Sequence, residues 1–150
     1  MAQCALSPDG TLLATAGWSG LCKLWQVPLC TERQTYRGHT DRAVSIAFHP
    51  DATRRLDASC ANLASGSADG TINLWSLDSE QPLRTLQGHS HRVCRVAYHP
   101  SGRFLGSASF DTTWRLWDVE RGDELLLQEG HSHEVYAIDF QEDGALVATG

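Results

Sequence analysis

Lysine is nearly missing from this chain of 150 residues: Lys23 stands alone against eleven arginines. Positive charge is also short overall, with 12 basic against 18 acidic residues and a net charge of −6. A domain-wide nucleic-acid footprint needs clustered excess positive charge, so any RNA contact has to be local. Arginine favours bidentate contacts to carboxylates and phosphates, although ordinary solvated surface accounts for most such residues. No Cys-x-x-Cys pair occurs among Cys4, Cys22, Cys30, Cys60 and Cys94, and five is an odd count with irregular spacing. That argues against a disulfide framework and against a zinc site, and it fits a reducing compartment, cytosol or nucleus. No apolar run reaches membrane-spanning length, and the first thirty residues lack a basic start followed by an unbroken apolar stretch, so no signal peptide is expected. What remains is 41% hydrophobic and 20% charged, the composition of a globular chain.

What is present is a repeat. Gly-His occurs at Gly38-His39, Gly88-His89 and Gly130-His131, in steps of 50 and 42 residues. A strand-ending tryptophan occurs at Trp25, Trp75 and Trp117, in the same steps of 50 and 42. After each Gly-His comes an alternating stretch ending in an aromatic, at 44–48, 94–98 and 135–140, two of which run into His49-Pro50 and His99-Pro100. Second strands are expected at 12–15, 63–65, 104–107 and 146–149, third strands at 22–25, 72–75 and 114–117, and a weaker fourth such as 82–86. Four short strands in about 40–45 residues, with Gly-His and Trp-Asp, resemble the blade of a WD-repeat β-propeller. Trp-Asp itself is intact only at Trp117-Asp118.

The resemblance implies an all-β, partial WD40 propeller of about three and a half blades of a seven-bladed ring. The blades are expected at 1–37, 38–87, 88–129 and, incomplete, 130–150. The extra length of the first step lies in an insertion at 51–61. A chain that begins inside a first strand and stops in a second is expected to be part of something longer.

Each full repeat carries a Ser/His/Asp set that invites a hydrolase reading: His39, Ser65 and Asp69 with Trp75, then His89, Ser107 and Asp111 with Trp117. A triad occurs once, with an exposed nucleophile, whereas a set repeated in every blade is architecture. The WD-repeat resemblance implies a hydrogen-bonded chain tying the third strand to its loops. The first repeat has Thr15 and Trp25, with Ser19 where the aspartate belongs. No nucleophile elbow and no phosphate loop occurs, so no catalytic residue and no cofactor is expected. His89 with His91, and His131 with His133, look like metal pairs but have no Cys or carboxylate cluster beside them, so no metal is expected either. Trp114 is in register with Cys22 and Ile72 and is expected in the core rather than stacked on a base. Trp18 and Phe110 precede a blade turn where the other repeat has Ala68. Arg42 and Arg92 each lie four residues past the glycine of Gly-His, with Glu134 as their counterpart in the last repeat. Two arginines with two aromatics match the composition of interface hot spots, so these four are the partner-binding candidates.

The stretches between the markers narrow the family. Ala-Gly-Trp-Ser-Gly-Leu-Cys-Lys-Leu-Trp at 16–25, Leu-Trp-Ser-Leu-Asp-Ser at 74–79, His-Pro-Ser-Gly-Arg-Phe-Leu at 99–105, and Trp-Arg-Leu-Trp-Asp at 114–118 followed by Gln-Glu-Gly-His at 128–131 are unusual for generic blades. Together they resemble the WD-repeat subunit family of the U4/U6 small nuclear ribonucleoprotein (snRNP), the Prp-four splicing factors. The resemblance implies a nuclear, non-catalytic scaffold of the U4/U6 particle and of the U4/U6·U5 tri-snRNP. Its implied partners are a Prp-three-type subunit and a cyclophilin, with U4 and U6 RNA reached mostly through them, and no membrane or small-molecule substrate. The competing expectation is an adaptor propeller of another system, a ubiquitin-ligase substrate receptor or a G-protein-β-like scaffold.

Overall fold

The structure, a computed structural model, describes residues 2–53 and 59–150. Alternating short apolar stretches and Gly/Asp/Ser turns fold as antiparallel hairpins, and no helix occurs among the described residues. The first sheet holds β1 (Gln3–Leu6), β2 (Leu12–Ala16), β3 (Cys22–Gln26) and β4 (Thr31–Tyr36). The second holds β5 (Ala43–Phe48), β6 (Leu63–Ser67), β7 (Ile72–Trp75) and β8 (Arg84–Leu86). The third holds β9 (Val93–Tyr98), β10 (Phe104–Ser109), β11 (Trp114–Asp118) and β12 (Glu124–Gln128). A fourth pairs β13 (Ile138–Phe140) with β14 (Val147–Thr149). This is an all-β, partial WD40 propeller, as the spacing of the markers predicts.

Two details differ from the sequence reading. The alternating stretch at 135–140 is a strand over Ile138–Phe140; Ala137 exchanges backbone bonds with Gly150, and the Tyr136 amide turns to the same Gly150 carbonyl. Of the insertion at 51–61, residues 54–58 lie outside the described residues, while Ala52 is buried and its carbonyl accepts from Asn62 Nδ2 at 2.8 Å.

Each apolar core lies between sheets rather than within one. Leu12, Ala14, Cys22, Leu24 and Tyr36 of the first sheet pack on Ile46, Leu63 and Trp75 of the second. Ile72, Leu74 and Leu86 pack on Val93, Val96, Leu105 and Trp117 of the third. Ala108 and Trp114 pack on Val135 and Ile138, so Trp114 is a core residue. Each repeat therefore depends on its neighbour for burial. Burial pushes the Cys22 thiol up to about 11, leaving it an inert packing group.

Polar contacts reinforce the same joints. The Ile46 amide donates to Gln3 Oε1 and the Val96 amide to Ser45 Oγ, both at 3.0 Å. The two His-Pro histidines reach across as well. His49 is buried against the turn at Gly102, and His99 Nε2 lies 3.1 Å from the Gly144 carbonyl. Both glycines have φ of +73°, and a Cβ on either would fall inside the histidine ring, so this joint requires glycine twice over. β1, β5, β9 and β13 lie side by side at the centre, and β4, β8 and β12 form the outer edges.

Candidate protein-interaction face

The second and third sheets each contain one unbroken polar chain. Trp75 Nε1 donates to Ser65 Oγ at 2.8 Å, Ser65 Oγ meets His39 Nε2 at 2.7 Å, and His39 Nδ1 faces Asp69 Oδ2 at 3.3 Å. In the third sheet Trp117 Nε1 donates to Ser107 Oγ at 2.8 Å, Ser107 Oγ meets His89 Nε2 at 2.7 Å, and His89 Nδ1 lies 2.7 Å from Asp111 Oδ2. A serine that accepts from tryptophan keeps its own proton for histidine Nε2, which leaves the Nδ1 proton for the carboxylate. Burial holds both histidines below their ordinary value and so favours this neutral form, the aspartates pulling the other way. Burial alone would raise Asp111, but hydrogen bonds from Thr113 and His89 outweigh it and hold the carboxyl at about 2. Asp69 is likewise lowered, with Thr71 and the Thr40 amide outweighing burial.

The two serines are fully buried under tryptophan, so neither hydroxyl faces a space a substrate could occupy. The chains end instead on backbone. Asp69 Oδ2 accepts from the Thr40 amide at 2.9 Å and Asp111 Oδ2 from the Ser90 amide at 3.1 Å, which pins the loop leading into each first strand. Ser67 and Ser109 add a second tie, donating to the carbonyls of Arg42 at 2.9 Å and His91 at 3.1 Å. The fourth sheet begins the same chain, with His131 Nε2 2.9 Å from Thr149 Oγ1. Sequence reasoning missed Thr149, Ser67, Ser109, Thr71 and Thr113, whose matched offsets were the available signal.

These ties place the four partner-binding candidates. The Ala43 amide bonds to Gly17 O, the Ala68 amide to Arg42 O, and the Phe110 amide to Arg92 O, so turns and linkers alternate along one end of the molecule. Arg42 crosses from the second sheet to lie 5.7 Å from the Trp18 ring centroid, and Arg92 lies 5.3 Å from that of Phe110. Trp18 is 65% exposed. Phe110 also meets His91 at 5.9 Å and Tyr136 at 5.0 Å, and Tyr136 is 62% exposed. Tyr136 was not among the candidates, since Glu134 occupies the arginine position of its repeat. Among the described residues no cluster of His, Cys, Asp and Glu suits a metal: His89 is committed to Asp111, and His91 Nδ1 accepts from the Arg92 amide at 2.8 Å.

The sequence matches the family of the WD domain, G-beta repeat, over residues 2–26, 30–76, 80–118 and 122–150. The chain belongs to the WD40 family. Among curated WD40 relatives it is 53% identical over 68 residues to "U4/U6 small nuclear ribonucleoprotein Prp4" of Mus musculus, a match covering 45% of this chain and 13% of that protein. It is 49% identical over 48 residues to "U4/U6 small nuclear ribonucleoprotein PRP4-like protein" of Arabidopsis thaliana, covering 31% of this chain and 9% of that protein. It is also 39% identical over 61 residues to "Transducin beta-like protein 3" of Bos taurus, covering 41% of this chain and 8% of that protein. The matched segments thus span a small part of each relative.

Proposed function

We propose that the chain is a non-catalytic, protein-binding WD40 segment of a U4/U6 snRNP subunit that acts in the nucleus in pre-mRNA splicing, within the U4/U6·U5 tri-snRNP. The observation that carries this reading is the 53% identity to Prp4 over 68 residues, against 39% over 61 for the transducin-like relative. Trp18, Arg42, Arg92 and Phe110, joined by Tyr136, form the binding face. The polar chains named above fix its loops before a partner arrives, which limits the ordering cost of binding. Prp-three-type and cyclophilin partners suit it, and with a net charge of −6 the U4 and U6 RNAs are met mostly through proteins. Its serines are structural, and the segment has no hydrolase activity. The test is to tag the full-length protein in cells, purify it under native conditions and sequence the bound RNA. Enrichment of U4 and U6 RNA supports the reading. Recovery of ubiquitin-ligase subunits without those RNAs replaces it with the adaptor alternative.

A further inference from the structure

At the centre of the molecule the open edge of an inner strand is closed by a side chain from the sheet before it. The residue five places ahead of a turn proline does this. Gln3, ahead of Pro8, accepts from the Ile46 amide through Oε1, and Ser45, ahead of Pro50, accepts from the Val96 amide through Oγ, both at 3.0 Å. The third joint departs from the pattern. Its residue at that place, five ahead of Pro100, is Arg95, whose guanidinium can only donate. The amide opposite, by the same offset, is that of Ile138 in β13. Register turns that amide to the centre: Ala137 exchanges backbone bonds with Gly150, so the next amide along points away from β14. Among the described residues the Ile138 amide has no acceptor, and Arg95 has no ion pair or hydrogen bond. Arg95 is exposed and lines a cavity of about 350 Å³ bounded by the inner strands. Arg95 and Asp139 are the charged lining residues there among those described. Asp139 is not placed as the partner of Arg95. Ile138 packs back on Ala108 and Trp114 of the third sheet, so alternation turns Asp139 to the other face, and its Oδ1 accepts from the Phe140 amide at 2.9 Å. Both strands that carry the two donors are present in the chain, and inner strands border the central channel of a propeller however many blades close the ring.

We propose that Arg95 and the Ile138 amide form a binding position for an oxyanion, the carboxylate or phosphate group of a ligand small enough to enter the central channel. Where the first two joints hold an acceptor and a donor, the third presents two donors to one space. One oxygen of the anion accepts from the Ile138 amide while the guanidinium fork takes another, a charge-assisted pairing stronger than water would give. The first two joints cannot do this, because Gln3 and Ser45 commit their oxygens to the chain's own amides. Two such contacts account for an affinity on the order of millimolar for the anion alone. The position is separate from the loop end that carries Trp18 and Phe110, and the proposal does not depend on the splicing reading.

The test uses the full-length protein, isotope-labelled at its isoleucine amides and read by NMR. It is titrated with sodium phosphate and, separately, with sodium acetate, at constant ionic strength made up with sodium chloride. The expected result is a saturable shift of the Ile138 amide, assigned through Ile138→Val, while the Ile46 amide, already bonded to Gln3, stays in place. Arg95→Gln gives the third joint the acceptor that Gln3 supplies at the first. It should weaken the response roughly tenfold or more and slow hydrogen exchange at Ile138, whose amide gains an acceptor. Arg95→Lys keeps the charge without the fork and should retain a response weakened roughly threefold. A response to phosphate alone supports a tetrahedral group as the ligand, and a response to both anions supports a carboxylate as well. No saturable shift, an equal shift of the Ile46 amide, or an unchanged response in Arg95→Gln would overturn the proposal. An equal shift in sodium chloride alone would also overturn it, as an effect of ionic strength. So would a response that appears only after Asp139→Asn, because Asp139 would then be the partner of Arg95.

Discussion

The first and third sheets hold their third strands by unequal means. In the first, Trp25 Nε1 reaches Thr15 Oγ1 at 3.1 Å, and Thr15 continues only to the Lys23 carbonyl at 3.4 Å. In the third, Trp117, Ser107, His89 and Asp111 run unbroken to the Ser90 amide. Yet both sheets pair their strands in full, with the same bulge where the outer strand meets the third. In the first sheet Ser19 stands where the other two have aspartate, so strand pairing does not need the aspartate that ends each histidine chain. What histidine and aspartate add is a tie from the sheet to the linker before it, and hence a fixed position for the loops of the proposed binding face.

Tryptophan removal should break this comparison most sharply. Trp75 and Trp117 are almost fully buried in the cores between sheets. Trp117→Ala should cost about 3–5 kcal/mol in chemical denaturation of the full-length protein, and Trp25→Ala, whose sheet has Ser19 in place of the aspartate, less. Equal costs would mean that the complete chain adds nothing to the packing of its indole. A second contrast comes from the turn glycines. Gly102 and Gly10 share a positive φ, but a Cβ at Gly102 strikes the His49 ring whereas nothing lies within 4 Å of Gly10. Gly10→Ala should cost only the backbone strain, about 1–2 kcal/mol, and Gly102→Ala clearly more, read as a difference in melting temperature.

Much of this was legible in the sequence for a physical reason. Gly-His and the strand-ending tryptophan recur in one unequal rhythm, and each marks a position where the fold allows little substitution, so third strands and polar residues could be placed without coordinates. The strand at 135–140 was misjudged because periodicity reports only alternation, and pairing depends on a neighbour's carbonyls. The ring-over-glycine joints at Gly102 and Gly144 were missed because His-Pro reads as local punctuation while its partner lies in the next repeat. Tyr136 was missed because alignment by repeat pointed to Glu134 beside it.

Acid should separate the sheets more gently. Burial holds His39 and His89 below their ordinary value in the folded protein, so the unfolded chain takes up protons first as pH falls through about 6.5. Their contribution to stability is present above that pH and is lost below it, at up to about 1.4 kcal/mol per pH unit for each histidine. Asp111, held at about 2, keeps its contribution until the pH falls through the ordinary carboxylate range near 4. The first sheet, with Ser19 in place of the aspartate, contains no such chain among the described residues. Amide exchange followed from pH 7 to 5 should therefore show protection falling in β7 and β11 before β3. Uniform loss across all three would detach the histidines from the effect.

The smallest effect on stability should come from the binding face, and there the comparison changes from folding to function. Arg42 and Arg92 lie over aromatic rings at 5.7 and 5.3 Å, outside the buried chains that fix their linkers. The exposed Arg42–Trp18 pair is worth about 0.5–1 kcal/mol and the half-buried Arg92–Phe110 pair up to about 2 kcal/mol, so Arg42→Glu with Arg92→Glu should lower the melting temperature less than the tryptophan substitutions do. The linkers themselves stay tied through Ser67 Oγ on the Arg42 carbonyl and Ser109 Oγ on the His91 carbonyl, contacts that use backbone and ignore the side-chain charge. A partner that packs on Trp18 and Phe110 would meet reversed charge at the rim of each aromatic. Charge reversal in an otherwise intact interface suppresses association strongly, by several kcal/mol where the groups are brought together. The double variant should therefore keep its fold and lose co-purification with the U4/U6 proteins proposed as its partners. Trp18→Ala alone should give part of the same loss, because it removes the ring on which Arg42 rests together with the exposed apolar surface. Unchanged co-purification from a folded double variant would move the binding face away from this end of the molecule and leave the polar chains as architecture alone.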